Sequence, residues 1–181
     1  MNVIFLDFEG VLDTFHYNSE EDLERRIKIL AEICHEYNCK VVIEASDKDA
    51  IDEETLEVIG ETSWVNNIFN YFNKYGIECV GRTPNVIKQI GEYSYIPIWK
   101  DEEILAYLKM HPEIEHYCVI DDDDLKNMHK ESDLDKVRDH LVETIYNSDN
   151  PEEEGLLPKH KEEVGIILQK EISHFPSKNH K

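Results

Sequence analysis

The order of apolar and polar residues predicts a three-layer α/β/α fold around a parallel sheet, and three observations carry that prediction. Short runs at 3–6, 40–43 and 116–120 are apolar almost throughout, as strands covered on both faces are. Between them lie segments whose apolar residues recur every three or four positions, the period of a helix with one buried face. The two patterns alternate along the chain, the order that lays parallel strands side by side through right-handed crossovers with helices on both faces.

Each element follows from its own residues. The run VIFL at 3–6 is the first strand, ended by Asp7, Glu9 and Gly10. A helix opens after Ser19 and runs to residue 37, with Leu23, Ile27, Leu30 and Cys34 on one face. Ser19 and Asp22 have the three-residue spacing of a reciprocal N-terminal cap. The run KVVI at 40–43 is a second buried strand. Helical patterns follow at 53–59 and 64–75, the second stopped by Gly76 in a C-cap position. Residues 78–81 read as a third strand, and Arg82-Thr83-Pro84 opens a loop to Pro97 that carries Tyr93 and Tyr95 beside the site. A helix at 101–110, the strand at 116–120 and a last strand at 139–144 come next. An acidic loop at 152–154 leads to a final helix at 158–172, with Val164, Ile167, Leu168 and Ile172 on one face. Residues 1–174 are expected to form a single domain and 175–181 a fraying polar tail.

The chain has 181 residues and a formal net charge of −21. That length suits one domain with a sizeable core. The charge opposes non-specific binding to nucleic acid or to an anionic membrane, because both carry the same sign. Arg25-Arg26 and the basic residues at 159–161 are too few to make a basic patch. Cys34, Cys39, Cys79 and Cys118 are scattered, as reduced thiols in a cytoplasmic protein are. No apolar run approaches the roughly eighteen residues of a membrane span. The first residues form a strand rather than the basic and apolar regions of a secretory signal.

Chemistry concentrates at two strand tips. Asp7 ends the first strand, where open α/β sheets place their ligands. Glu9, two residues on, points the same way in extended backbone, and Gly10 permits a sharp turn. The strand at 116–120 ends in four aspartates, Asp121 to Asp124. On neighbouring strands these tips converge. Acids at that density repel one another and resist desolvation, so a cation is expected among them. Oxygen donors with no His or Cys cluster of zinc spacing suit Mg²⁺.

The same residues fall into recognisable motifs. LDFEGVLDT at 6–14 resembles the pattern DxDGxLxT, and VVIEAS at 41–46 ends a strand near a hydroxyl. Trp99-Lys100 sets a basic residue ahead of a helix, and YCVIDDDD at 117–124 ends a strand in acids. In this order they resemble the four motifs of the haloacid-dehalogenase (HAD) superfamily of phosphohydrolases. More narrowly, Thr83-Pro84, Lys100 ahead of Glu103-Ile104, Asp121 to Asp123, and Thr144 with Gly155-Leu156 resemble the HAD domain of Swiss Army Knife RNA repair proteins.

The resemblance implies a HAD-like (Rossmannoid) sheet and a Mg²⁺-dependent phosphomonoester hydrolase. Asp7 would be the nucleophile that forms an aspartyl-phosphate. Asp7, the backbone carbonyl of Glu9, and Asp122 would hold Mg²⁺, with Asp121 or Asp123 in its outer coordination. Lys100 would offset the charge of Asp7 and of the transferring phosphoryl group, and Glu9 would act as acid and base. Gly10, Glu44 and Ser46 fall at substrate-binding positions.

Two positions depart from the family pattern. Glu9 stands in place of an aspartate, and its extra methylene moves the carboxyl by about 1 Å, a displacement that can cost roughly 10²-fold in rate. Glu44 aligns with the phosphate-binding hydroxyl, which leaves Ser46 as the nearest replacement. Removing the Glu44 charge is therefore expected to raise turnover. A slow enzyme is the expectation. Its alternatives are a degenerate HAD-like domain that binds a phosphorylated ligand or protein without turnover, and an end-processing phosphatase on nucleic acid. No large cap domain fits either side of Glu44, so the site should be open to a phosphorylated small molecule or macromolecule. Plainer roles compete at some positions: Lys100 as a partner of Asp101 or Glu103, Ser46 as a helix cap, Trp64 and Trp99 as core, His16 and His111 as surface or packing residues.

Overall fold

The computed structural model describes residues 1–60, 63–89, 95–97, 100–123, 125 and 135–170. In chain order the elements are β1 (Asn2–Leu6), α1 (Glu20–Tyr37), β2 (Cys39–Ile43), a 3₁₀ turn (Ser46–Ala50), α2 (Ser63–Tyr75), β3 (Cys79–Arg82), β4 (Ile87–Gln89), β5 (Tyr95–Pro97), α3 (Lys100–Met110), β6 (His116–Asp121), α4 (Asp135–Arg138), β7 (Leu141–Glu143), a second 3₁₀ turn (Pro151–Glu153) and α5 (His160–Ile167). Five strands form one all-parallel sheet in the order β3-β2-β1-β6-β7. The expected α/β/α class is the observed one.

The uniformly apolar runs divide between two cores. Ile4 and Leu6 of β1, with Val41, Ile43, Cys118 and Ile120, face α1, α2 and α5. Val3, Phe5, Val42, Tyr117 and Val119 face α3 and α4 through Ile104, Tyr107, Leu108 and Val137. Alternate residues point to opposite faces, and both faces are dry, so residues 3–6 of β1 are all apolar. Its four apolar residues are fully buried, each contributing ~1.5–3 kcal/mol relative to exposure. The helix α1 begins as its sequence requires. Ser19 accepts from the Asp22 N–H and the Asp22 side chain accepts from the Ser19 N–H, satisfying two groups that the first turn would leave unpaired.

Four boundaries differ from expectation. Residues 53–59 are not helical: Asp52 Oδ1 accepts from the N–H groups of Glu54 at 3.0 Å and Thr55 at 2.8 Å, an Asx turn that competes with a helix. Ile51 bridges Val58 instead, and the apolar residues reach the core from a turn. The segment expected as a loop to Pro97 holds an antiparallel ladder between β4 and β5. The last strand is shorter than 139–144 and the final helix shorter than 158–172. Residues 171–181, with Tyr93, Trp99 and Asp124, lie outside the described residues. All four cysteines are free. Among the described residues no helix is long and apolar enough to cross a membrane.

Candidate active site

The central position of β1 sets the site. It pairs with β6 in parallel, Leu6 opposite Ile120, and the Asp7 N–H continues the ladder to the Ile120 carbonyl at 3.1 Å. Asp7 and Asp121 therefore leave adjacent strands side by side. Lys100, at the start of α3, bridges them: its Nζ donates to Asp7 Oδ2 at 2.5 Å and to Asp121 Oδ2 at 2.9 Å. Lys100 thus pairs with the strand tips rather than with Asp101 or Glu103. Asp7 Oδ1 accepts from the Phe8 N–H at 2.8 Å, and Asp121 Oδ1 from the Asp123 N–H at 2.9 Å.

Asp122 completes the cluster. Asp7, Asp121 and Asp122 each offer a carboxylate oxygen, all within 4.8 Å of one another. Gly10 makes this approach feasible. Its φ is +76°, and a Cβ there would meet Asp122 Cγ at 2.3 Å. The Thr144 hydroxyl donates to the Gly10 carbonyl at 2.8 Å and anchors the turn to the end of β7.

Three acids share one lysine, and their titration reflects the shortage. Burial raises Asp7 despite Lys100. Burial, then the neighbouring Asp7 charge, pushes Asp121 up to about 7. Burial and Asp121 raise Asp122. Burial opposes the Lys100 charge, but Asp121 and Asp7 outweigh it and raise the ammonium. A site with unmet negative charge and oxygen donors alone fits a hard divalent cation. Asp121 already spends both oxygens on Lys100 and the Asp123 N–H. Asp122, which accepts no hydrogen bond from another described residue, is the freer ligand beside Asp7.

An open cleft of about 630 Å³ stands over these groups, lined by Asp7, Glu9, Lys100, Asp122 and Asp123, with Ser46 on the β2 side and Glu143 and Tyr146 on the β7 side. Ser46 begins the 3₁₀ turn, whose N-cap is Ala45, and it is exposed beside the cleft. Glu9 is exposed beside it. Next to Glu9, Asp13 Oδ1 is buried without a hydrogen-bond partner. Burial, then the Glu9 charge, lifts Asp13 to about 6.

Glu44 and Gly10 do not line the cleft. Glu44 is 1 % exposed. It accepts a hydrogen bond from the Thr83 hydroxyl and lies 3.6 Å from Lys48 Nζ. Lys48 also pairs with Glu103 of α3 and donates to Thr83 Oγ1 at 3.1 Å. Burial raises the Glu44 carboxyl against the pull of Lys48. The acid that was expected to oppose a phosphate is instead part of a buried network joining β2, β3 and α3. Lys48 was missed because a lysine two residues after a serine in a polar turn reads as solvated; no local signal marks it as buried.

Residues 3–148 match the family of the HAD domain in Swiss Army Knife RNA repair proteins. The chain belongs to this HAD family. Membership makes it HAD-type and phosphatase-like, and the five-stranded parallel sheet is the fold that such a domain requires. No curated protein matches the chain.

Two further residues shape this HAD domain without a sequence signal. Arg26 of α1, counted only among residues too few to make a basic patch, is wholly buried. Its guanidinium donates to the carbonyls of Leu12 at 3.2 Å, Tyr17 at 2.8 Å and Glu154 at 3.5 Å, and to Thr14 Oγ1 at 3.1 Å. The Glu154 carboxylate, 1 % exposed, accepts from the N–H groups of His16 at 3.2 Å and Ser148 at 2.9 Å and bonds the His16 ring at 2.6 Å. Burial would raise it, yet these hydrogen bonds hold it down at about 2. Together they fasten the loop after β1 to the loop after β7, beside the cleft.

Proposed function

We propose that this HAD domain is a Mg²⁺-dependent phosphomonoester hydrolase acting through Asp7. The observation that carries the reading is the clustering of Asp7, Asp121 and Asp122 within 4.8 Å, bridged by Lys100, at the floor of an open cleft. Mg²⁺ held by Asp7 and Asp122 would supply positive charge to the phosphoryl oxygens as it is transferred. Asp7 attacks phosphorus, an Asp7–phosphorus bond forms, and the bond to the leaving oxygen breaks. Glu9 gives that oxygen its proton. Glu9 then takes a proton from water, which attacks phosphorus and releases inorganic phosphate from Asp7. Lys100 holds Asp7 in place and faces the transferring group with a fixed positive charge. Ser46 presents a hydroxyl from the opposite wall.

The open cleft and its acidic rim support a phosphorylated small molecule over a polynucleotide. An RNA end, to which the family description points, would bring its backbone phosphates against Glu9, Asp123 and Glu143 on a chain of net charge −21.

Steady-state hydrolysis of p-nitrophenyl phosphate with and without Mg²⁺ tests the reading. Mg²⁺-dependent turnover is expected in wild type and is abolished in Asp7→Asn, whose amide is a far poorer nucleophile. Absence of turnover on every phosphomonoester, with phosphate binding retained, would make the domain a binding module.

A further inference from the structure

Beside the acids, the cleft has a second character. Tyr146 forms its wall on the β7 side, and the Phe15 ring stands edge-on to the Tyr146 ring, centroids 6.3 Å apart. The Phe15 N–H donates to the Tyr146 carbonyl at 3.0 Å, so the two rings come from loops joined at that point. His16 stacks edge-on against Phe15 at 4.9 Å. Phe15 is 55 % exposed, and neither it nor Tyr146 belongs to the two apolar cores. A single exposed phenylalanine is ordinary on a protein surface. This one is set in an unusually firm mount. Arg26 and Glu154, both buried, tie residues 12–17 to residues 148–154, and Leu156 N–H closes the pair of loops on the Val11 carbonyl at 2.9 Å. Gly155 exists to admit that mount: with φ at +70°, a Cβ there would lie 2.5 Å from Arg26 Nε. Burying a charged guanidinium and a carboxylate is costly, and the segments they fix carry Tyr146 to the wall of the cleft with Phe15 set against it.

We infer that Tyr146, braced edge-on by Phe15, forms a rigid aromatic shelf that takes a flat ring on the leaving group of the phosphomonoester, so that the preferred substrates are small ring-bearing phosphates such as a nucleoside monophosphate or an aryl phosphate. The inference rests on the hydrolase reading for the position of the phosphate. The acidic rim contributes by selection: a neutral ring with one phosphate meets Asp122, Asp123 and Glu143 with less repulsion than a polyanion does. Aromatic stacking of this kind is not tied to one ring type, because every flat ring offers a π-face.

The test compares four free phosphates in the presence of Mg²⁺: adenosine 5′-monophosphate and O-phosphotyrosine, which carry rings, against ribose 5-phosphate and glycerol 3-phosphate, which carry no aromatic ring. Binding is read by calorimetry on Asp7→Asn, and kcat/KM on the active chain. At least one ring-bearing phosphate should bind roughly 5- to 100-fold tighter than the ringless pair. That ratio should fall toward one in Phe15→Ala and Tyr146→Ala and survive in Phe15→Trp, with the change in KM rather than kcat. Which ring-bearing phosphate is preferred then separates a nucleobase from a phenyl group. Equal affinities for ring-bearing and ringless phosphates, or a ratio unmoved by Phe15→Ala, overturn the shelf and leave the hydrolase reading standing. Ring preference without hydrolysis overturns the hydrolase reading and leaves the shelf. Failure of all four to bind overturns the shelf, and absence of turnover on every phosphomonoester as well overturns the hydrolase reading.

Discussion

At Glu44 a carboxylate in a position that should oppose phosphate is drawn inward by Lys48 and Thr83. Glu44→Thr is therefore expected to cost stability, ~1–3 kcal/mol in urea unfolding, by taking one acceptor from a buried lysine and hydroxyl. It should not raise turnover, contrary to what the aligned sequence alone suggests. Glu9→Asp is a different case, because Glu9 faces the cleft. Shortening it toward the usual geometry should increase kcat, and a wild type faster than the variant would mean that the glutamate suits its own substrate. Asp122 and Gly10 are tested together through the metal. Adding Mg²⁺ should raise the melting temperature of wild type by mass action on the folded state. Asp122→Asn should raise it without metal, since one repelling charge has gone, and should lose the Mg²⁺ response. Gly10→Ala should lower stability by ~1–3 kcal/mol and blunt the same response, because the added Cβ occupies the space of the Asp122 carboxylate.

Helix α5 meets the chain through a histidine that is held neutral. His160 is 2 % exposed, its Nδ1 accepts the Leu157 N–H at 3.0 Å, and burial lowers it from 6.5 to about 4. A folded-state value below the unfolded one gives stability that is present above pH 6.5 and lost as pH falls through about 4. The loss is on the order of 3 kcal/mol across that window. His160→Asn can still accept the Leu157 N–H, so its denaturation midpoint should fall less steeply between those pH values. A slope equal to that of wild type would show that another group carries the acid sensitivity. At α1 the capping box was readable from Ser19 and Asp22 because both partners lie within one turn. Arg26, on the same helix, was not readable, because its acceptors are distributed from Leu12 to Glu154.

Across the whole molecule the charge of −21 opposes compactness, and salt should relieve it. Raising salt from ~0.05 to ~0.5 M is expected to increase the melting temperature, since screening shortens the reach of the surface repulsion. A fall instead would mean that the ion pairs around Lys48 and Lys100 matter more than the net charge. Length, pattern and motif by themselves determined the parallel sheet, the acidic strand tips at Asp7 and Asp121, and the membership that follows from the motifs. Each of these rests on burial or spacing within a few consecutive residues, and burial is a property that every residue of a strand reports separately. Tertiary structure alone decided that Glu44 turns inward, that Lys100 bridges two strands, that Arg26 and Glu154 are buried, and that Phe15 meets Tyr146. These rest on contacts that cross from one segment of the chain to another, and such a contact has no periodicity: either partner, read alone, looks like an ordinary polar or exposed residue until the fold brings the other within reach.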